Sequence, residues 1–133
     1  MNRSLFLLAA LAVAAVLAVP ALSAGGISLG ASLSGTGFGT AQYQERPNAA
    51  GGVDWRLKVG VGGLPDLTPK QVGPDRVLDV YSGGRLVGSM LIRRQAGTMT
   101  AEARNDVSAA MAGTPLTLVD HADGSVVLQG VFG

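Results

Sequence analysis

The chain contains no cysteine. Disulfide staples, thiolate metal sites and a lipid-modified amino-terminal cysteine are therefore excluded. Histidine occurs once, at His121, and tryptophan once, at Trp55, so a zinc site built from several imidazoles has no ligands to draw on. Excess charge of one sign is equally scarce, with ten Lys and Arg against nine Asp and Glu. Without a basic stripe nothing here can track a phosphate backbone, and nucleic acid is not an expected partner. The pair Arg93-Arg94 is the one local concentration of charge. Such neighbours point to opposite faces of a strand, which reads as a solvated strand end.

Long apolar runs are missing too, with one exception. Leu5 to Val19 is unbroken, follows Asn2-Arg3-Ser4 and stops at Pro20. A basic start, an apolar helix-forming middle and the small residues Ala21-Leu22-Ser23-Ala24 make up a secretory signal peptide, with cleavage expected after Ser23 or Ala24. As a helix the run would reach about 22 Å, short of a hydrocarbon core of about 30 Å, which favours removal over a retained anchor. Arg3 has no basic neighbour, so the twin-arginine route is not indicated. We expect a signal-peptide helix over 1–24 and a single β-rich domain over 25–133, exported to the periplasm or beyond, with no membrane span after cleavage. Taking 24 residues from 133 leaves 109, a length that buries roughly 65% of its unfolded surface and needs no staples. An exported domain without cysteine fits a bacterial envelope or secreted setting better than a eukaryotic disulfide scaffold.

The mature segment alternates with a period of two. Ile27, Leu29, Ala31 and Leu33 predict a first strand, and Phe38 to Glu45 a second after the turn Ser34-Gly35-Thr36-Gly37. Pro47 to Gly52 reads as loop. In Val53 to Val61, the apolar Val53, Trp55, Leu57, Val59 and Val61 interleave with Asp54, Arg56, Lys58 and Gly60. One face must be dry and the other wet, as antiparallel sheets allow. Pro65 to Pro74 cannot continue a central strand. Strands over Arg76 to Tyr81 and Leu86 to Ile92 flank Ser82-Gly83-Gly84-Arg85, whose glycines supply the positive φ of a primed turn. Met99 to Arg104 predicts a strand, Ser108 to Ala112 a short helical turn ended by Gly113 and Pro115. Leu116 to His121 and Val126 to Phe132 flank Ala122-Asp123-Gly124, a hairpin signal. Seven to eight short antiparallel strands give an all-β fold, a small sandwich or barrel.

Aligning Gly84 with Gly124 lays Leu78 on Leu118, Leu86 on Val126, Val87 on Val127 and Ile92 on Phe132, so the two hairpins share a pattern that half-buried hairpins commonly have. The run Ser34-Gly35-Thr36-Gly37-Phe38-Gly39-Thr40-Ala41-Gln42-Tyr43, the alternating Trp55 strand, Leu86-Val87-Gly88-Ser89, and Asp123 through Phe132 resemble small exported all-β domains of uncharacterised bacterial proteins. That resemblance implies an exported β fold and brings no activity or functional residues with it.

Few residues carry candidate chemistry. Gly26-Ile27-Ser28-Leu29-Gly30 matches the letters of a nucleophile elbow but lacks the preceding strand and following helix that would strain Ser28 into place. Gly35-Thr36-Gly37-Phe38-Gly39 leads into a strand, so no helix terminus waits for a phosphate. His121 with Asp120 and Asp123 is the one metal or acid-base candidate. Alternation puts Asp120 and His121 on opposite faces, and Asp123 serves as a turn residue before Gly124. Met90, Met99 and Met111 with His121 would offer copper soft ligands, although Met90 and Met99 sit in core-like positions. The carboxylates Asp54, Asp66, Asp75, Asp79, Glu102 and Asp106 have no spacing that forces a shared site. Phe38, Tyr43, Trp55 and Tyr81 could form a stacking platform, but Trp55 shares its face with four aliphatic residues and reads as core. No cofactor is implied. The expected function is a non-enzymatic exported module that meets an unknown protein or envelope partner through its surface or strand edges. The alternative is a copper- or zinc-binding protein or small hydrolase centred on His121.

Overall fold

The computed structural model describes residues 26–65 and 76–133. The expected signal-peptide helix over 1–24 lies outside these residues, as does the loop from Pro65 to Pro74 except for Pro65 itself. Eight strands follow in order: β1 (Ile27–Gly35), β2 (Phe38–Pro47), β3 (Val53–Gly62), β4 (Arg76–Ser82), β5 (Arg85–Ile92), β6 (Gly97–Asp106), β7 (Pro115–Asp120) and β8 (Val126–Val131). They form one antiparallel sheet with the order β5-β4-β7-β8-β1-β2-β3-β6. The sheet curls until its edges β5 and β6 pack against each other, giving a nearly closed barrel.

Alternation builds the wall. On β3, Trp55, Leu57, Val59 and Val61 are buried while Arg56 and Lys58 are exposed. Small and large residues share the rows: Ala41 lies between Ala31 and Val59, and Tyr43 between Leu29 and Leu57. An eight-stranded barrel is just wide enough for side chains to fill it, and here Leu57, Leu78, Leu116, Leu118, Leu128 and Phe132 do so. Each such side chain contributes about 1.5–3 kcal/mol by leaving water. Gly83 (φ 59°) and Gly84 (φ 86°) make the primed turn between β4 and β5. Gly130 has a different role: a Cβ there would press into the backbone carbonyl of Ser32. Its bare backbone lets β8 approach β1, which it pairs only at Ser34–Gln129 and Gly35–Leu128.

One end of the barrel is closed by the segment between β6 and β7, and here the expected helical turn over Ser108 to Ala112 does not form. Its backbone groups bond to distant partners instead of to one another. The Ala109 N–H donates to the Tyr43 hydroxyl (3.0 Å), and the Ala109 carbonyl accepts from Ser82 Oγ (2.5 Å). Ala109 and Ala110 are thereby buried above Tyr43, whose ring packs near those of Trp55 (6.1 Å) and Phe132 (6.0 Å). Tertiary hydrogen bonds outweigh the small helix preference of a few alanines.

The seam between β5 and β6 is held at both ends. At one end the turn Arg93–Ala96 joins them with reciprocal backbone bonds of 2.9 and 3.1 Å. Its central residues Arg94 (φ 51°) and Gln95 (φ 76°) are both left-handed, a conformation that costs roughly 1–2 kcal/mol for a residue with a Cβ. At the other end Arg85 on β5 donates to Asp106 on β6 (2.6 Å). The same carboxylate oxygen accepts from Trp55 Nε1 (3.1 Å), and the Arg85 guanidinium lies 5.8 Å from the Trp55 ring. The Arg85 guanidinium, followed by the Trp55 indole, holds the Asp106 carboxyl below the usual carboxylate range.

Candidate functional site

The inward side chains are alike all round the barrel, but the outward ones divide it in two. On β1, β2, β3 and β6 the outer rows are polar apart from Phe38 at the start of β2: Ser28 pairs with Gln44, Gln44 with Arg56, and Arg56 with Glu102. Arg56 and Glu102 form an ion pair at 3.1 Å. On β4, β5, β7 and β8 the outward set is mostly apolar, interrupted by the pairs Asp79–Ser89 and Thr117–Gln129. Leu86 (54% exposed), Leu91 (44%), Val126 (55%) and Val131 (58%) stand at its corners. Half-buried Val77, Tyr81 and Val119 lie between them.

Register places the few polar groups of this face. Asp79 pairs with Ser89 on β5 and with Val119 on β7. One carboxylate oxygen accepts from Ser89 Oγ at 2.7 Å, and the other meets His121 Nδ1 at 2.8 Å. His121 is brought alongside by its own N–H, which donates to the Val77 carbonyl (2.9 Å) as β7 ends. The His121 hydrogen bond, then that of Ser89, pulls the Asp79 carboxyl below its ordinary value. The same bond to Asp79, then the negative charge of Asp79, raises His121 above 6.5. In the neutral imidazole Nδ1–H donates to the carboxylate and Nε2 is left facing outward as an acceptor.

This trio is not arranged as a hydrolytic triad. In such a triad the imidazole stands between carboxylate and hydroxyl and takes the hydroxyl proton. Here the carboxylate stands between imidazole and hydroxyl, and Ser89 donates to Asp79.

The three residues singled out from the sequence go separate ways. Asp120 is buried and accepts from Arg76 Nε (2.9 Å) and from the Ala122 N–H (2.9 Å). Asp123 accepts from the N–H (2.8 Å) and Oγ (2.6 Å) of Ser125 within its own turn. His121 alone reaches Asp79. Among the described residues no group of three or more His, Asp or Glu side chains gathers where a metal could sit. Met90 and Met99 are in the core, and Met111 is exposed on the segment that closes the other end. Ser28 lies in mid-ladder opposite Gln44 and lines an open hollow of about 400 Å³ with Arg46, Arg56 and Glu102. It stands at the opposite end of the barrel from His121. Tyr43 and Trp55 are core, Tyr81 is half-buried on the outer face of β4, and Phe38, 64% exposed, stands apart at the start of β2, so the aromatics form no platform. Asp66 and Asp75 lie outside the described residues.

Two residues of the outward trio, Asp79 and Ser89, carried no signal of their own. Simple hairpin counting from Gly83-Gly84 sets Asp79 opposite Gly88. A bulge after Val80 shifts its partner to Ser89, and the contact with His121 depends on the pairing of β4 with β7.

Among the described residues no helix is long and apolar enough to cross a membrane. The barrel also differs from a membrane-spanning one, which is polar within and apolar all round outside. This one is apolar within and carries Arg56, Lys58 and Glu102 outside. Comparison with known proteins yields no match to a family model, a curated protein or a solved structure.

Proposed function

We propose that the chain is an exported, non-enzymatic β-barrel module that docks on a protein of the envelope or secreted environment through the outer face of β4, β5, β7 and β8. One observation carries this reading: the exposed Leu86, Leu91, Val126 and Val131 share one half of the barrel, while the outward residues of the other half are polar apart from Phe38. A contiguous apolar patch rimmed by polar residues is what an interaction surface presents, whereas apolar groups scattered singly need no explanation. The filled interior leaves recognition to the outside. Export rests on the composition of residues 1–24 and on the likeness to small exported all-β domains.

The test is affinity capture from an envelope fraction with wild-type protein, the double variant Leu86→Lys/Val126→Lys, and the opposite-face control Thr40→Lys/Gln42→Lys. A stoichiometric partner held by wild type and control but lost from the apolar-face variant is the expected result. Retention by all three would refute the reading.

A second reading, metal binding or hydrolysis at His121, is favoured by one feature. Asp79 fixes the imidazole through Nδ1 and leaves Nε2 outward, the arrangement that carboxylates give to metal-ligating histidines. Mass spectrometry before and after chelation decides it: bound copper or zinc that disappears in His121→Ala would replace the docking proposal.

A further inference from the structure

Two turns of this barrel share a backbone shape and differ in chemistry. Gly83 (φ 59°) and Gly84 (φ 86°) form the primed turn between β4 and β5, and Arg94 (φ 51°) and Gln95 (φ 76°) take the same pair of left-handed conformations between β5 and β6. Glycine enters that region freely, whereas a residue with a Cβ is held there against its preference. Among the described residues every other position of positive φ is glycine except Asn105, and asparagine tolerates the region. Strain in the backbone is thus concentrated at Arg94-Gln95.

That turn is also the one backbone tie between β5 and β6. Beyond the reciprocal bonds of Arg93 and Ala96 no ladder joins the two strands, which are the edges of the sheet. The segment after the turn takes its ladders elsewhere: β6 pairs with β3, β7 with β4, and β8 with β1. Were the turn to straighten, residues 97–133 would leave these positions together. The positions they leave match only the same segment of another copy.

Straightening gives up little. It breaks the two Arg93–Ala96 bonds and the bond from the Leu64 N–H to the Gln95 carbonyl (3.1 Å). Two straightened segments lying antiparallel can exchange backbone bonds in return. Each chain releases two left-handed residues, and each release favours the straight form by roughly tenfold. Other contacts of the moving segment are remade between copies, including Arg85 with Asp106 at the seam. Lost freedom on association opposes the exchange and makes it depend on concentration. Short connections under strain are where such exchange begins.

We propose that the Arg93–Ala96 turn is a hinge for strand exchange, through which two copies of the chain trade β6, β7 and β8 to form a domain-swapped dimer. The second copy is selected by the fold itself, because the gap between β4 and β1 is shaped to β7 and β8, and the edge of β3 to β6. The docking face takes no part, so this proposal stands or falls apart from that reading.

Refolding the purified protein from denaturant at about 1 mM and at about 10 µM, followed by size-exclusion chromatography with light scattering, tests the hinge. Wild type should yield dimer at the higher concentration. Arg94→Asn/Gln95→Gly installs the pair that primed turns prefer, and should lower the dimer constant by at least about a hundredfold. Gln95→Pro fixes φ near about −65°, cannot form the turn, and should dimerise at both concentrations. A cysteine pair identifies the exchange directly, since the chain has no cysteine of its own. Lys58→Cys/Thr100→Cys joins β3 to β6 at directly opposed positions. In the dimer fraction its disulfide should link two chains on a non-reducing gel. A dimer whose disulfide lies within one chain overturns the proposal, as does wild-type protein that is monomeric after refolding at about 1 mM. Undiminished dimer in Arg94→Asn/Gln95→Gly overturns it as well, whether or not Gln95→Pro folds. The dimer should survive Leu86→Lys/Val126→Lys, and its loss there would assign the association to the docking face instead of the hinge.

Discussion

The two halves of the barrel wall obey one rule inside and opposite rules outside. Leu57 and Val59 on β3 point inward as Leu118 and Leu116 on β7 do, all buried. Between them, however, β3 presents Arg56 and Lys58 to water, whereas β7 and its neighbours present Val119, Val126 and Leu86. Because successive side chains on a strand point to opposite faces, folding constrains one parity and leaves the other free. The half that departs from the solvated pattern is the one to associate with function.

The largest effect should be blind to this division. Leu57→Ala and Leu118→Ala each remove a fully buried side chain, and each should lower the unfolding free energy by about 2–5 kcal/mol in urea titrations. A much smaller loss on the β7 side would mean that the apolar-faced half is the less well packed, and the comparison of outer faces would no longer be between equals.

The seam that joins the halves comes next. Asp106→Ala removes the acceptor shared by Arg85 and the Trp55 indole, and should lower stability because a part-buried donor loses its protein partner. Since the Asp106 carboxyl is held below its ordinary 3.8 when folded, its contribution is present above that value and fades as the pH falls through the folded pKa. Acid titration of stability should therefore be shallower in the variant. At the other end of the seam, Gln95→Gly relieves a left-handed residue and should raise stability by about 0.5–1 kcal/mol, the relief being partly offset by glycine's greater freedom when unfolded. A loss instead would show that the Gln95 side chain contributes more than its backbone costs.

The outward residues should matter least to stability. Leu86→Lys/Val126→Lys and Thr40→Lys/Gln42→Lys should each shift unfolding by within about 0.5 kcal/mol, while only the first abolishes binding of a hydrophobic dye. The Asp79–His121 contact sharpens the contrast further. His121 is raised above 6.5 in the folded chain, so its contribution is full below that value and is lost as the pH rises through the folded pKa. Thermal melts of wild type and His121→Gln should differ more at pH 5 than at pH 9.

Much of this was legible in the chain. The alternation around Trp55 gave β3 almost to the residue, and Gly83-Gly84 and Asp123-Gly124 marked two hairpins correctly. Pro47 reads as loop, yet β2 runs to it because Val53 still pairs there. Ser108 to Ala112 has helical composition, but Tyr43 and Ser82, both distant in sequence, bind its backbone first. Asp79 was one carboxylate among many until a bulge and a non-consecutive strand pairing set it between Ser89 and His121.

The sequence by itself determined which residues face the core, because a two-residue period and local turn chemistry act within a few residues of each other. Only the tertiary structure decided that the strands close into one barrel with its seam at β5 and β6, and that four exposed apolar residues from two hairpins become one surface around Asp79. Those outcomes depend on register and curvature between strands far apart in the chain, and such pairings leave no periodic trace in either partner.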